Sequence, residues 1–395
     1  MTRRWVAVAV IAGCLAWAQA APAQDAPAPE PIPFSPGPDG ACNLVPGPVG
    51  PSNVPPGPPD CLSLPADGTG AFPCKESVPE CAPYFHLGVI AWQRQGLGNF
   101  PLAVRDPQNL DTGNPPPAGA RVLQSLGQID PHFNSGATAT WGVLFGENAI
   151  EATGYYTFQG NNSRAIANPG RIDSFFHNIP LGFEGDNGLF LQADRLKTTL
   201  SATLWGGEVN YRWTNPGVHE AELIVGARYL DLDEKLGSTF DDDGISFPLT
   251  NGQPDPRRVA TYSARTHNRF MAPQLGFEWD QPVCCWFDVG FGAKGAWGMN
   301  DVGLDRSLVR GDGFVGFNGS HNSWQFSHLY ELNSFVDIRL LERAKIRLGY
   351  NAMWFMHMAS VGDQYDFNLQ NTSRLIKQDG NVFFHGPLAQ LEFLF

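Results

Sequence analysis

The side chains that most often carry chemistry are thinly spread through this chain. Histidines stand at 86, 132, 177, 219, 267, 321, 328, 357 and 385, with no His-Glu-x-x-His pair and no Cys-x-x-Cys. A zinc site needs such ligand pairs to converge, so no metal is expected. A Gly-x-Ser-x-Gly elbow, which would expose a nucleophilic serine, is also missing. One Asp–His grouping can be assembled for acid–base work, His267 with Asp241, Asp242 and Asp243. The same acidic stretch, Asp231 to Asp243, could be tried as a Ca²⁺ loop, yet it lacks the regular ligand spacing of an EF-type loop. Both groupings read better as solvated loop residues. The expectation is a chain that is no enzyme and uses no cofactor.

A larger set of charges follows a pattern. Glu208, Arg212, Glu222, Arg228, Glu278, Asp288, Lys294, Asp337, Arg339, Lys345, Arg347 and Glu392 each fall on the polar face of an alternating run. In a water-filled lumen, rings of such charge set ion preference. In a narrow lumen the same residues would pair across it and seal it. Both signs are present in near balance, so both readings stand.

Placing that set requires strands. From Tyr84 onward the side chains alternate with a period of two. In 344–356, Ile346, Leu348, Tyr350, Ala352, Trp354 and Met356 share a face opposite Lys345, Arg347, Gly349 and Asn351. In 203–213, Trp205, Val209, Tyr211 and Trp213 oppose Glu208, Asn210 and Arg212. Ten runs fall at 84–95, 136–146, 148–158, 200–213, 219–231, 263–279, 285–299, 328–341, 344–357 and 383–395. Eleven residues at roughly 3.3 Å, tilted by about 40°, cover about 28 Å, close to the apolar band of an outer-membrane barrel. Tyr350 with Trp354, Trp205 with Trp213, and Phe277 with Trp279 lie near run ends on the apolar face, where interfacial girdles sit.

The links between runs decide the class. Those around Gly146-Glu147, Asn215-Pro216-Gly217, Gln281-Pro282 and Leu341-Glu342-Arg343 are short, and those spanning 96–135, 159–199, 232–262, 300–327 and 358–382 are long. A Greek-key sandwich gives no reason for strict short–long alternation. A barrel with tight periplasmic turns and long external loops requires it. The expected fold is an all-β, antiparallel transmembrane β-barrel over 84–395 with both termini periplasmic. About ten strands are expected, or twelve or fourteen if hairpins hide in 159–199 or 232–262.

The rest of the chain is read as an export apparatus. Residues 1–21 combine Arg3 and Arg4, an apolar run from Trp5 to Ala18 and small residues around Ala18-Gln19-Ala20, the pattern of a signal peptide. Ile11-Ala12-Gly13-Cys14 also looks like a lipoprotein cleavage box, and on either reading the chain is exported. Residues 22–83 hold 18 of the 33 prolines, a density that stops helix and sheet alike and marks an unstructured periplasmic linker. That linker carries Cys42, Cys61, Cys74 and Cys81, while Cys284 and Cys285 fall in an expected periplasmic turn. Disulfides stapling linker to rim are expected, in a connectivity the sequence does not choose. A net charge of −13 over 395 residues argues against a nucleic-acid binder, which needs a basic face. At the C-terminus Leu391, Phe393 and Phe395 share a face and end in Phe, similar to the signal read by the barrel assembly machinery.

Four short motifs occur in order: Leu204-Trp205-Gly206-Gly207-Glu208-Val209-Asn210, then Val225-Gly226-Ala227-Arg228-Tyr229-Leu230-Asp231-Leu232-Asp233-Glu234, then Thr266-His267-Asn268-Arg269-Phe270 with Gln274-Leu275-Gly276, then Arg347-Leu348-Gly349-Tyr350-Asn351 with Val361-Gly362-Asp363-Gln364. Together they resemble the beta-barrel porin family numbered seven. The resemblance implies an outer-membrane barrel, and supplies neither catalytic residues nor a substrate. The function expected is passive diffusion of small hydrophilic solutes or ions through a barrel embedded in outer-membrane lipids, as a monomer or homo-oligomer. The alternative is a non-conducting structural or adhesion barrel that presents long external loops and tethers the envelope.

Overall fold

A computed structural model describes residues 81–95, 97–105, 121–129, 132–183, 189–215, 218–242, 255–284, 286–369 and 376–395. The signal segment, Cys42, Cys61, Cys74 and Cys285 lie outside the described residues. The strands are β1 (Cys81–Gln95), β2 (Pro101–Arg105), β3 (Arg121–Ser125), β4 (Asn134–Phe145), β5 (Asn148–Thr157), β6 (Gly160–Ser174), β7 (Ala193–Asn215), β8 (Val218–Asp241), β9 (Val259–Cys284), β10 (Phe287–Arg310), β11 (Val315–Leu341), β12 (Ala344–Met358) and β13 (Gly380–Leu394).

Ten of these close an antiparallel ring in the order β1-β4-β5-β7-β8-β9-β10-β11-β12-β13, shut by the pairing of β13 with β1. They are the ten alternating runs. β7 is long enough to serve two neighbours along one edge. Its Trp205–Trp213 half pairs with β5 and its Ala193–Ala202 half with β6. β6 carries β2, and β2 carries β3. Among the described residues, 159–199 therefore holds one extra strand, β6, together with the start of β7; β6 widens the wall, and the ring keeps ten members.

The turns on the terminal side are tight. Only Gly146 and Glu147 join β4 to β5, and Gly146 has φ 64°, a conformation that favours glycine. β9 runs on to Cys284, past the turn expected at Gln281-Pro282. Pro282 has no N–H for a ladder, and it lies beside a register shift at Phe287/Asp288 that absorbs the misfit.

Strand continues into two of the expected loops. β8 continues to Asp241 and β9 begins at Val259, while β10 and β11 meet across 311–314, so much of 232–262 and nearly all of 300–327 is ladder. Alternation persists there, but its apolar face changes sides. On β8, Leu223 and Val225 point outward and are exposed, whereas Leu230, Leu232, Leu236 and Phe240 point inward and are buried. Outward residues above Tyr229 are Asp231, Asp233 and Lys235. A strand pattern followed by its lipid-facing hydrophobes ends where the lipid ends. On β12 the outward apolar residues run from Ile346 to Met356, about 33 Å of strand or about 25 Å of height at the usual tilt. From Tyr229 to Asp241 the wall rises roughly another 30 Å.

Ring closure is tightest at Gly386 on β13, where an added Cβ would collide with the carbonyl oxygen of Ala91 on β1. We expect Gly386→Ala to deplete the compact, heat-sensitive gel band of the folded barrel. A variant that folds at wild-type yield would show that this crossing has slack.

Candidate functional site

Each of the twelve charged positions singled out above pairs with another of the set inside the turn-side half of the ring. Asp288 takes Arg339 at 2.9 Å. Asp337 accepts Lys345 at 2.8 Å and the Arg347 fork at 2.8 and 2.9 Å. Glu392 joins Lys345 at 2.7 Å and Arg347 at 3.2 Å. Arg347 also reaches Glu278 at 3.0 Å, with its guanidinium 3.8 Å over the Phe335 ring. Glu278 is shared with Arg212 at 3.2 Å, and Arg212 in turn binds Glu222 at 2.6 Å. Farther from the turns, Arg228 donates to Glu208 and pairs with Glu331 at 2.5 Å, while Lys294 meets Glu208 at 2.5 Å.

Alternation put these side chains on one face, and the ladders bring them together. Glu208 on β7 lies opposite Arg228 on β8, and Asp337 on β11 opposite Arg347 on β12. Each of the twelve has an opposite charge within 3.0 Å. Neutral donors complete the set, Gln274 to Glu208 at 3.0 Å and Asn351 to Glu331 at 2.8 Å. Such charges are spent on one another. They leave the lumen little free field with which to sort ions.

Three further layers lie beyond these pairs. The first is apolar, with Trp92, Leu204, Leu230, Phe270, Met353 and Phe355 packed as one cluster. The second is a buried ion pair. Arg94 donates to Glu234 at 2.7 Å, with side chains only 1% and 0% exposed. Both hold the link between β12 and β13, through Ser360 Oγ at 3.0 Å from Arg94 and the Val361 N–H at 3.2 Å from Glu234. Asn268 adds bonds to Ala359 N and O, each at 3.0 Å. The third is an aromatic core in which Phe176 packs with Phe190, Phe240, Tyr262 and Tyr365 at centroid distances of 5.0 to 5.9 Å.

Sequence reasoning missed several members. Glu151 accepts the Tyr84 hydroxyl at 2.9 Å and lies 3.5 Å from Arg212. Glu151 and Glu331 sit on the same alternating faces as the chosen twelve, so that signal could have found them. Arg94 and Glu234 are 140 positions apart, and Glu234 lies beyond the end assigned to its strand. Nothing local announces that pair.

The sequence grouped His267 with Asp241, Asp242 and Asp243; the structure places it away from Asp241 and Asp242, and Asp243 lies outside the described residues. In the ladder His267 lies opposite Asp233, while Asp241 pairs with Val259 at the far end of β8. Its ring nitrogens are 3.7 Å from Asp233 and 3.8 Å from Asp305. Among the described residues no three His, Cys, Asp or Glu side chains are grouped to hold a metal ion. Cys81 and Cys284 are free thiols, and the other proposed disulfide partners fall outside the described residues. Phe393 and Phe395 of the C-terminal motif are exposed, and Leu391 pairs with Leu87 and Ile346. At the crown, hydrogen bonds from Arg310 pull the Asp312 carboxyl down to about 2, and Arg310 also lies 4.7 Å over Phe314.

No family model and no curated protein matches the chain. The porin family numbered seven is thus not confirmed by a match. Among solved structures, the chain is similar to the outer membrane protease OmpT from Escherichia coli, with 11% identity over 80% of this chain and 96% of that one, at a TM-score of 0.33. The P. putida toluene transporter TodX gives 8% identity over 80% and 90%, at 0.31. The outer membrane channel DcaP of Acinetobacter baumannii gives 8% over 80% and 97%, at 0.17. Scores of this size carry no function, and the barrel assignment rests on the closed ring. They do correct one expectation. A protease stands among the similar structures beside channels, so the reading that this chain is no enzyme is withdrawn and its enzymatic status is open.

Proposed function

We propose that the chain is a closed bacterial outer-membrane barrel whose task is to hold a tall β-wall outside the membrane. The observation that carries this reading is the Arg228 cluster with the apolar layer above it. Glu208, Lys294, Glu331 and Arg228 join side chains of β7, β8, β10 and β11, and Phe270, Leu230 and Met353 are buried just beyond them. Porin-like diffusion of small hydrophilic solutes would require both layers to part. In this reading the tight turns and both termini are periplasmic, and β7 to β11 rise on the cell surface. Leu391, Phe393 and Phe395 would be offered to the assembly machinery, and the proline-rich linker would tether the envelope.

Single-channel recording of the refolded protein in a planar bilayer tests this. We expect no stable conductance steps from a sample whose heat-dependent gel mobility shows a folded barrel. Regular ohmic steps from that sample would restore the diffusion reading.

A further inference from the structure

We infer that the outer face of β8, β9 and β10, just above the lipid band, binds the phosphate of a lipid headgroup, with Arg269 as the contacting residue. The inference rests on the chain being a membrane barrel. It does not depend on the lumen being closed.

The position comes first. Tyr229, Met271 and Met299 form one cross-strand row on the outer face, and Met271 is 65% exposed. The next outward row is Asp231, Arg269 and Asp301. Apolar side chains give way to charges within one row, so the Arg269 guanidinium stands where acyl chains end and headgroups begin. An outer-facing arginine at that depth meets lipid phosphate before it meets bulk water.

The geometry of the guanidinium comes second. Arg94 and Arg228 spend their forks on buried carboxylates. Arg265, one row beyond His267, gives its fork to Asp233 in two hydrogen bonds. Arg269 differs. Its side chain is 56% exposed and lies 3.6 Å from Asp231 and 3.8 Å from Asp301, beyond hydrogen-bonding distance for both. The two carboxylates hold it in place by charge and leave its planar set of donors for another acceptor. A phosphate accepts two of them at once, the strong bidentate arrangement.

Met271 and Met299 supply the other half of the recognition. A free phosphate ion gains nothing from an exposed thioether surface, whereas a lipid lays its acyl chains there while its headgroup meets Arg269. The site therefore selects a phosphate that carries hydrocarbon. His267, between Asp233 and Asp305, and the Arg265–Asp233 pair form the fixed frame beside it.

The test uses the full chain refolded into phosphatidylcholine vesicles doped with lipid A, a glycolipid bearing phosphates. After solubilisation, native mass spectrometry counts the glycolipid retained per barrel. We expect the wild type to retain about five to ten times more than Arg269→Gln, the loss of one bidentate charged contact. Dephosphorylated lipid A should be retained at the variant's level, and millimolar inorganic phosphate should not displace the phosphorylated form. Equal retention by a folded Arg269→Gln barrel overturns the proposal, as does equal retention of the dephosphorylated lipid. Displacement by inorganic phosphate alone would make this a phosphate site and overturn the lipid assignment. Conductance recorded on the same samples keeps this outcome separate from the closed-lumen reading.

Discussion

Glu234→Ala is expected to cost about 3–5 kcal/mol of stability, the usual loss when one member of a buried ion pair is removed. Arg94 would then keep its charge at a position 1% exposed, without the carboxylate that accepts at 2.7 Å. The Val361 N–H would lose its acceptor in the same step. Two readouts follow. The midpoint of urea unfolding in vesicles should fall, and the link between β12 and β13 should become a preferred site for added protease. Removing both charges as Arg94→Met with Glu234→Met should recover most of the stability, because apolar replacement of a whole buried pair is often neutral. Wild-type stability in Glu234→Ala would mean that water reaches Arg94. The ion pair would then have no latching role.

The second large effect is expected at Arg228. It is 2% exposed and lies between Glu208 and Glu331, so Arg228→Ala leaves two buried carboxylates to share Lys294. A loss of about 3–5 kcal/mol is expected here too, for the same reason. The outcome differs from that at Glu234 because this cluster lies below the apolar layer. Protease sensitivity of the far-side link should stay at the wild-type level, and only the unfolding midpoint should move. Glu208→Gln should cost less than Arg228→Ala, since the amide still accepts from Arg228 while Glu331 remains to pair with it. A greater loss for Glu208→Gln would place the controlling interaction at Lys294.

Much of this was legible in the residues. The ten ring strands, their pairing with tight turns and the inward side of the twelve lumen charges follow from a period of two and the spacing of the links. The upper wall was not, and the reason is physical. Above Tyr229 the medium outside the wall changes from hydrocarbon to water, so the same alternation carries the opposite meaning. Leu232 and Leu236 turn inward there, while Asp231 and Asp233 turn out. An eye following outward hydrophobes sees the strand stop. β6 was missed for a related reason, since Gly160 to Ser174 is rich in Asn, Ser, Gly and Arg and offers few apolar positions to count. The lumen charges were found while the state of the lumen was left open. Whether a carboxylate faces a solute or an arginine depends on ladder register, which local spacing does not report.

The seam between β1 and β13 has a consequence for how the molecule must be made. It joins Tyr84 to Leu394 and Gln95 to Phe383, partners drawn from opposite ends of the described chain. Contacts of that sequence separation are the slowest to form, because the loop entropy of everything between them is surrendered first. Until β13 has arrived, β1 and β12 each present a bare edge with apolar side chains beside it, a template for aggregation. Biogenesis therefore has no safe halfway point. Periplasmic escorts would have to keep the whole polypeptide soluble until its final strand is available, and a ribosome stalled before Gly380 would release a chain that cannot shut.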